Sequence, residues 1–218
     1  MSNRSYGQYC GVARALDLVG GRWTLLIVRE LLVGPARYGE LLEGLPGIAT
    51  NLLTARLREL EEAGLVRRTL DTQAMAIVYE LTPWGQQLRV TVEELVKWST
   101  PLMVPGPGTD HFRNEWLLIA VTGLMRQKHS TDDVFVGFEM DAQVVGIRVT
   151  STGTRVQLNP DPPPETVLGC EPAVLLGLAS GMLSVPDAVA TGDLRGRVED
   201  LERAFGTSSS LAGSGVAR

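Results

Sequence analysis

The stretch IATNLLTARLRELEEAGLVRR, residues 48–68, combines a leucine spacing typical of a helix with an exit into a β-branched, basic run. On a wheel at about 100° per residue, Leu53, Leu57, Leu60 and Gly64 fall within about 60° of one another and make a core stripe. Asn51, Thr54, Ala55 and Arg58 gather on the opposite side, with Thr50 at the helix start. Glu and Lys would serve solubility better than this set of short hydrogen-bonding groups and a guanidinium. Asn and Thr can bond base edges, Ala can touch a thymine methyl, and Arg can reach guanine or phosphate, so the face suits the major groove of duplex DNA. Arg56 lies near the core edge of the same wheel and is expected to form an intramolecular ion pair.

The surroundings support a recognition helix. Upstream, residues 12–20 predict a short helix, GGRW restarts the chain, and residues 23–33 predict an apolar helix that is buried on most sides. GPARYGELLEGLPGI (34–48) encodes a break, a short helix over about 37–43 and a tight turn. Downstream, GLVRRTL and AIVYELT read as two strands of a hairpin. Thr82 and Pro83 supply an N-cap and an N1 proline for a helix running to about Trp98. Short helix, tight turn, longer helix and hairpin is the order of a winged helix-turn-helix.

Composition sets the outer limits. The chain has 218 residues, 44% of them hydrophobic and 21% charged, which is ordinary for a soluble globular protein long enough to bury a sizeable core. No apolar run approaches the roughly 20 residues of a membrane span, and MSNRSYGQYCGVARAL lacks the pattern of a secretory leader. Cys10 and Cys170 sit in no metal-ligand or disulfide-framework spacing. A cytoplasmic protein with two thiols and no membrane association is expected. The net charge of −5 counts weakly against DNA, because residues 1–104 carry 11 basic and 11 acidic side chains and the acidity belongs to the remainder. Phosphate contacts depend on local potential rather than total charge.

PLMVPGPGTDH (101–111) reads as a linker, since its prolines and glycines interrupt helix and strand alike. Beyond it, HFRNEWLLIAVTGLMRQ predicts a helix with a broad apolar face. DVFVGFEM, QVVGIRVT and TRVQLN predict three close strands, and TVLGCE a fourth. Residues 172–180, 186–191 and about 197–205 predict helices. The Ser/Gly-rich stretch 207–218 is expected to be a disordered tail. His111 and His129 are the only histidines, and no HExxH, GxSxG, paired-carboxylate or phosphate-cradling glycine motif accompanies them. No enzyme, metal or cofactor is expected.

CGVARALDLVGGRWTLLIVRELLVGPARYGELLEGLPGIATNLLTARLRELEEAGLVRR (10–68), followed by YELTPWGQQL (79–88), closely resembles the HxlR family of bacterial winged-helix transcriptional regulators, relatives of MarR proteins. The resemblance covers roughly residues 8–98. It implies a homodimer whose terminal helices pair, with two recognition helices entering successive major grooves of a near-palindromic operator in double-stranded DNA. It also implies phosphate contacts by Arg22 in GGRW and by Arg37 at the start of the short helix, beside Thr50, Asn51, Thr54 and Arg58 on the recognition helix. Trp23 is expected in the core. Ala49 replaces the family's usual capping Ser, so Thr50 either takes over the cap or stays available to DNA. The tip DTQAMA (71–76) lacks the basic residues that such wings often carry. Cys10 occupies the place of the oxidant-sensing or electrophile-sensing cysteine of some HxlR-like regulators, and Arg14 nearby is expected to lower its pKa.

The second half, LGCEPAVLLGLASGMLSVPDAVATGDLRGRVEDLERAFG (168–206) above all, is similar to sterol-carrier-protein type 2 domains. That fold stacks helices on a twisted sheet around an apolar tunnel. The resemblance implies a pocket for a hydrophobic small-molecule effector, lined by Trp116, Leu124, Phe135, Phe138, Leu175, Leu178, Met182 and Leu183. The expected architecture is thus α+β: an N-terminal winged helix-turn-helix for DNA binding and dimerisation (8–100), a linker (101–111), a C-terminal sterol-carrier-like α/β sandwich (112–206) and a tail (207–218). Two other readings stay open. One is a thiol-based redox regulator acting through Cys10; the other is a hydrophobic-ligand carrier that uses its winged helix for protein docking.

Overall fold

The computed structural model describes residues 5–72, 74–103 and 105–206. The expected tail at 207–218 lies outside the described residues. The described residues divide into two compact units, one formed by those up to 101 together with 107–123, the other by those between 102 and 106 together with 124–206.

In the first unit, α1 (Gly11–Val19), α2 (Thr24–Val33), α3 (Tyr38–Glu43) and α4 (Thr50–Glu62) precede the hairpin of β1 (Val66–Asp71) and β2 (Ala76–Leu81). Apolar residues dominate α2, and Ile27, Val28, Leu31 and Leu32 are buried. Its N-cap, Trp23, has the left-handed φ of 79°, unusual for a bulky residue, and its ring packs against the core as expected. Leu53, Leu57 and Leu60 of α4 enter the same core. Gly64 does not join their stripe: it is exposed, and its φ of 72° places it beyond the helix end, where the Leu65 N–H closes back on the Leu60 carbonyl at 2.9 Å.

The hairpin is antiparallel with Val66 opposite Leu81, and an isolated bridge of two backbone hydrogen bonds ties Ala36 to Tyr79 of β2, a contact the sequence does not signal. The Thr82 hydroxyl accepts from the Gly85 N–H at 3.1 Å and so caps α5 (Pro83–Gln86), as its sequence predicts. The helix expected over 83–98 is interrupted at Gln87 and resumes as α6 (Leu88–Ser99).

The expected boundary at 101–111 is not the boundary of packing. Residues 107–123, with most of α7 (Asn114–Leu124), belong to the winged-helix unit rather than to the following domain. The reason is burial: Ile119, 2% exposed, is part of the winged-helix core.

The second unit holds β3 (Val134–Met140), β4 (Gln143–Thr150), β5 (Gly153–Leu158) and β6 (Thr166–Gly169) where the sequence places them. A three-residue strand, β7 (Asp193–Arg195), was not anticipated. The sheet order is β5-β4-β3-β6-β7, with β3 and β6 parallel and the other pairs antiparallel. The helices are α8 (Pro172–Ser180), α9 (Val185–Thr191) and α10 (Val198–Phe205). The last packs on β3 and β6, with Phe205 edge-on to Phe138 at 5.5 Å.

Candidate DNA interface

With Leu53, Leu57 and Leu60 buried, α4 turns Thr50, Asn51, Thr54, Ala55 and Arg58 outward, all exposed. Ala49 is the N-cap and makes no side-chain cap bond, while Thr50 is the first helical residue. Thr50 therefore does not take over the cap and stays on the exposed face. The Asn51 Oδ1 accepts from the Leu52 N–H at 2.9 Å, which fixes the amide at the helix start.

Tyr38 is a residue that the sequence did not single out. Its hydroxyl lies 3.2 Å from the Thr54 hydroxyl and donates to the Thr50 carbonyl at 2.8 Å. The first residue of α3 thereby ties itself to the first turn of α4 at the edge of the exposed face. Nothing in ARYGELLEG marks this tyrosine, because the contact depends on how the two helices cross.

Arg37 is the N-cap residue of α3 and is exposed; its backbone N–H donates to the Glu40 carboxylate at 2.6 Å. Arg22 is exposed beside Trp23, its guanidinium 5.7 Å from the ring centroid. Arg58, 78% exposed, pairs with Glu62 at 2.9 Å, a contact weak enough in water to yield to a phosphate. Arg56 pairs with Glu59, as its wheel position predicts.

The wing differs from the remainder of the face. Arg67 and Arg68 pair with Glu80 and Glu61. Leu70 and Ile77 sit opposite each other, and both are exposed, as is Met75. Gln73 at the tip lies outside the described residues.

Cys10 is exposed at the N-cap of α1. The backbone N–H groups of Ala13 and then Val12 hold its thiol below the ordinary value of 9.0. The expected agent, Arg14, is instead directed to Asp17 at 3.5 Å and to Ser5. Cys170 is the opposite case, since burial pushes its pKa up to about 12.

The eight residues proposed to line an effector tunnel are divided between the two units and differ in burial. Trp116 belongs to the winged-helix unit, where its indole N–H donates to Glu30 at 2.7 Å. Phe138, Leu175 and Leu178 are buried core residues, Leu124 and Leu183 are half-buried, and Met182 is 52% exposed. Phe135 carries the Arg148 guanidinium 4.3 Å above its ring and borders a cleft of about 320 Å³. That cleft is walled mainly by prolines and charged side chains, Asp133, Glu165, Asp200 and Arg203 among them, rather than by the apolar set.

A helix-turn-helix with an adjoining hairpin and a polar, arginine-bearing outer face defines a DNA-binding protein of the winged-helix class. Residues 18–105 match the HxlR-like helix-turn-helix family. An HTH-type transcriptional regulator from Synechocystis is 38% identical over 84 residues, 38% of this chain and 62% of that relative's length. The HTH-type transcriptional regulator YodB of Bacillus subtilis is 36% identical over 93 residues, 42% of this chain and 83% of YodB. A crystal structure of quinone-bound YodB aligns at 33% identity with a TM-score of 0.37, covering 41% of this chain and 96% of that one. The chain belongs to the HxlR-like helix-turn-helix family of DNA-binding transcriptional regulators.

Proposed function

We propose that the protein regulates transcription as a homodimer that places two α4 helices in successive major grooves of a near-palindromic operator, with Asn51, Thr54 and Arg58 meeting base edges and Arg22 and Arg37 meeting phosphates. The observation that carries this reading is the outer face of α4: it is exposed, rich in hydrogen-bonding groups, and braced by Tyr38. Pairing of terminal helices is supported by Tyr9, Val12 and Leu16 on and before α1 and by Leu95 and Trp98 on α6, large apolar side chains that are exposed in the single chain. No described helix is long and apolar enough to cross a membrane; action on DNA would take place in the cytoplasm. Genome-wide selection of bound fragments tests the proposal. Enrichment of one inverted-repeat sequence is expected, and uniform recovery of unrelated fragments would favour the carrier reading.

A second reading is favoured by Cys10, whose exposed thiol at the start of α1 is held below its ordinary pKa by backbone N–H groups. In it, oxidation or alkylation of Cys10 near the pairing helices changes operator affinity. Cys10→Ser, expected to bind DNA normally and to lose any response to diamide, separates the two readings.

For the C-terminal unit the proposal is a sensing role in a sterol-carrier-like fold. A five-stranded mixed sheet covered by α10 supports that reading. Within this unit the hydrophobic effector would enter beside the half-buried Leu124, Phe135 or Leu183. Titration of the full chain with fatty acids, sterols and aromatic metabolites checks it, with a change in operator affinity as the expected result.

A further inference from the structure

Residues 18–105 match the family, yet the winged-helix unit contains one more helix, α7, from beyond that span. Its start converges on Glu30 of α2, a carboxylate that is 8% exposed. Glu30 Oε1 accepts from Arg29 Nε at 3.0 Å and Nη2 at 2.7 Å, and from the Trp116 indole N–H at 2.7 Å. Glu30 Oε2 accepts from Arg113 Nη1 at 3.3 Å. The Arg29 guanidinium lies 4.0 Å from the Trp116 ring centroid. Burial pulls the Arg29 pKa down while Glu30 opposes it, so the two charges depend on each other.

This cluster touches the turn of the helix-turn-helix. Arg29 Nη2 also donates to the carbonyl of Gly44, the residue that ends α3, at 3.3 Å. A Cβ on Gly44 would stand 2.3 Å from Glu30 Oε2 and 2.6 Å from Arg113 Nη1, so the cluster is packed directly on the turn backbone. The path of that turn sets the angle at which α4 leaves α3.

We propose that Arg113 and Trp116 are positioning residues for sequence-specific DNA binding: through Glu30 and Arg29 they fix the Gly44 turn and so the pose of α4 in the major groove. The proposal rests on the reading of α4 as the DNA-contacting helix. Base contacts need the helix placed within a fraction of an ångström, whereas phosphate contacts by long arginines tolerate a shift. A disturbed turn therefore lowers operator affinity more than affinity for random DNA.

The test uses the full chain and the duplex that the wild type enriches from a random pool. Trp116→Phe removes one donor and keeps a ring beneath Arg29; Arg113→Gln removes the other cation. The ratio of affinity for the enriched duplex to affinity for a random duplex is expected to fall about tenfold in each, comparable to mismatching one base pair. The thermal midpoint is recorded alongside. A purely structural role lowers the midpoint and leaves the ratio of the folded fraction unchanged. Ratios within about twofold of wild type in both variants would overturn the proposal, and Trp116→Phe decides alone where Arg113→Gln does not fold. Hydrogen exchange on the wild type is a check without variants: amides at 44–48 and 114–118 gain protection together when the duplex binds, and protection of the turn alone would count against the proposal. A wild type that enriches no sequence overturns the DNA-binding reading itself, before any variant is made.

Discussion

Asn51 and Arg58 are exposed on the face of α4 opposite its buried leucines. Replacing either with Ala removes no core packing, and the Arg58–Glu62 pair is too exposed to contribute much to folding. Asn51→Ala and Arg58→Ala are expected to weaken operator binding by about 1–3 kcal/mol each while the thermal midpoint stays within a degree or two; fluorescence anisotropy and calorimetry check this. The two thiols make a second prediction. A lowered pKa raises the thiolate fraction of Cys10 at neutral pH, whereas Cys170, at about 12, stays a thiol. Iodoacetamide at pH 7.5 should label Cys10 first, with a rate that rises with pH and reaches half its maximum below 9.0. Mass spectrometry reads both sites, and faster labelling of Cys170 would contradict the assignment.

Among the elements, α6 carries the clearest expectation. Trp98 is 78% exposed and Leu95 43% exposed, more apolar surface than a solvent-facing helix needs. Trp98→Glu is expected to shift sedimentation from dimer to monomer and to lower operator affinity at least tenfold, since a single recognition helix spans only one half-site. Unchanged sedimentation would remove α6 from the interface. At this scale most of the fold was legible. The leucine period of α4, the Thr82–Pro83 cap and the alternating strands each carry their own signal over a few residues. What escaped depended on partners distant in sequence. β7 is three residues long and exists only because β6 lies beside it. The Ala36–Tyr79 bridge needs the wing to be in place. Tyr38 reads as an ordinary helix residue until α3 and α4 are set at their crossing. Gly64 matched the wheel position of the core stripe but serves the helix end, because a glycine at the end of a periodic run can do either.

For the whole molecule, net acidity and DNA binding are compatible only if the interface charges act locally. Should Arg22, Arg37 and Arg58 of both protomers meet phosphates, the logarithm of affinity should fall with the logarithm of salt concentration at about 0.9 per phosphate neutralised. Titrations from low to moderate salt measure that slope, and a value near zero would show that this face does not engage the duplex. The exposed polar face proposed for DNA was legible because Thr50, Asn51, Thr54 and Arg58 all sit on α4, whose leucine period fixes which side faces the core. A pocket lining is harder to read, because apolar residues fill cores and line pockets alike, and the bond from the Trp116 indole to Glu30 depends on a partner 86 residues away in sequence.

The placement of α7 also bears on how such genes can be recombined. The prolines and glycines at 101–111 invite a cut there, and a fragment ending at that point would contain every residue of the family match. It would also leave the Ile119 position in its core empty and deprive Glu30 of its Trp116 and Arg113 donors. A portable DNA-binding module from this protein has to extend to Gly123. Recombination that joined a new C-terminal domain at the seam would bring in a chain with no matching helix. Successful exchange would then require a crossover at the end of α7, beyond Gly123, where sequence gives no sign of a joint.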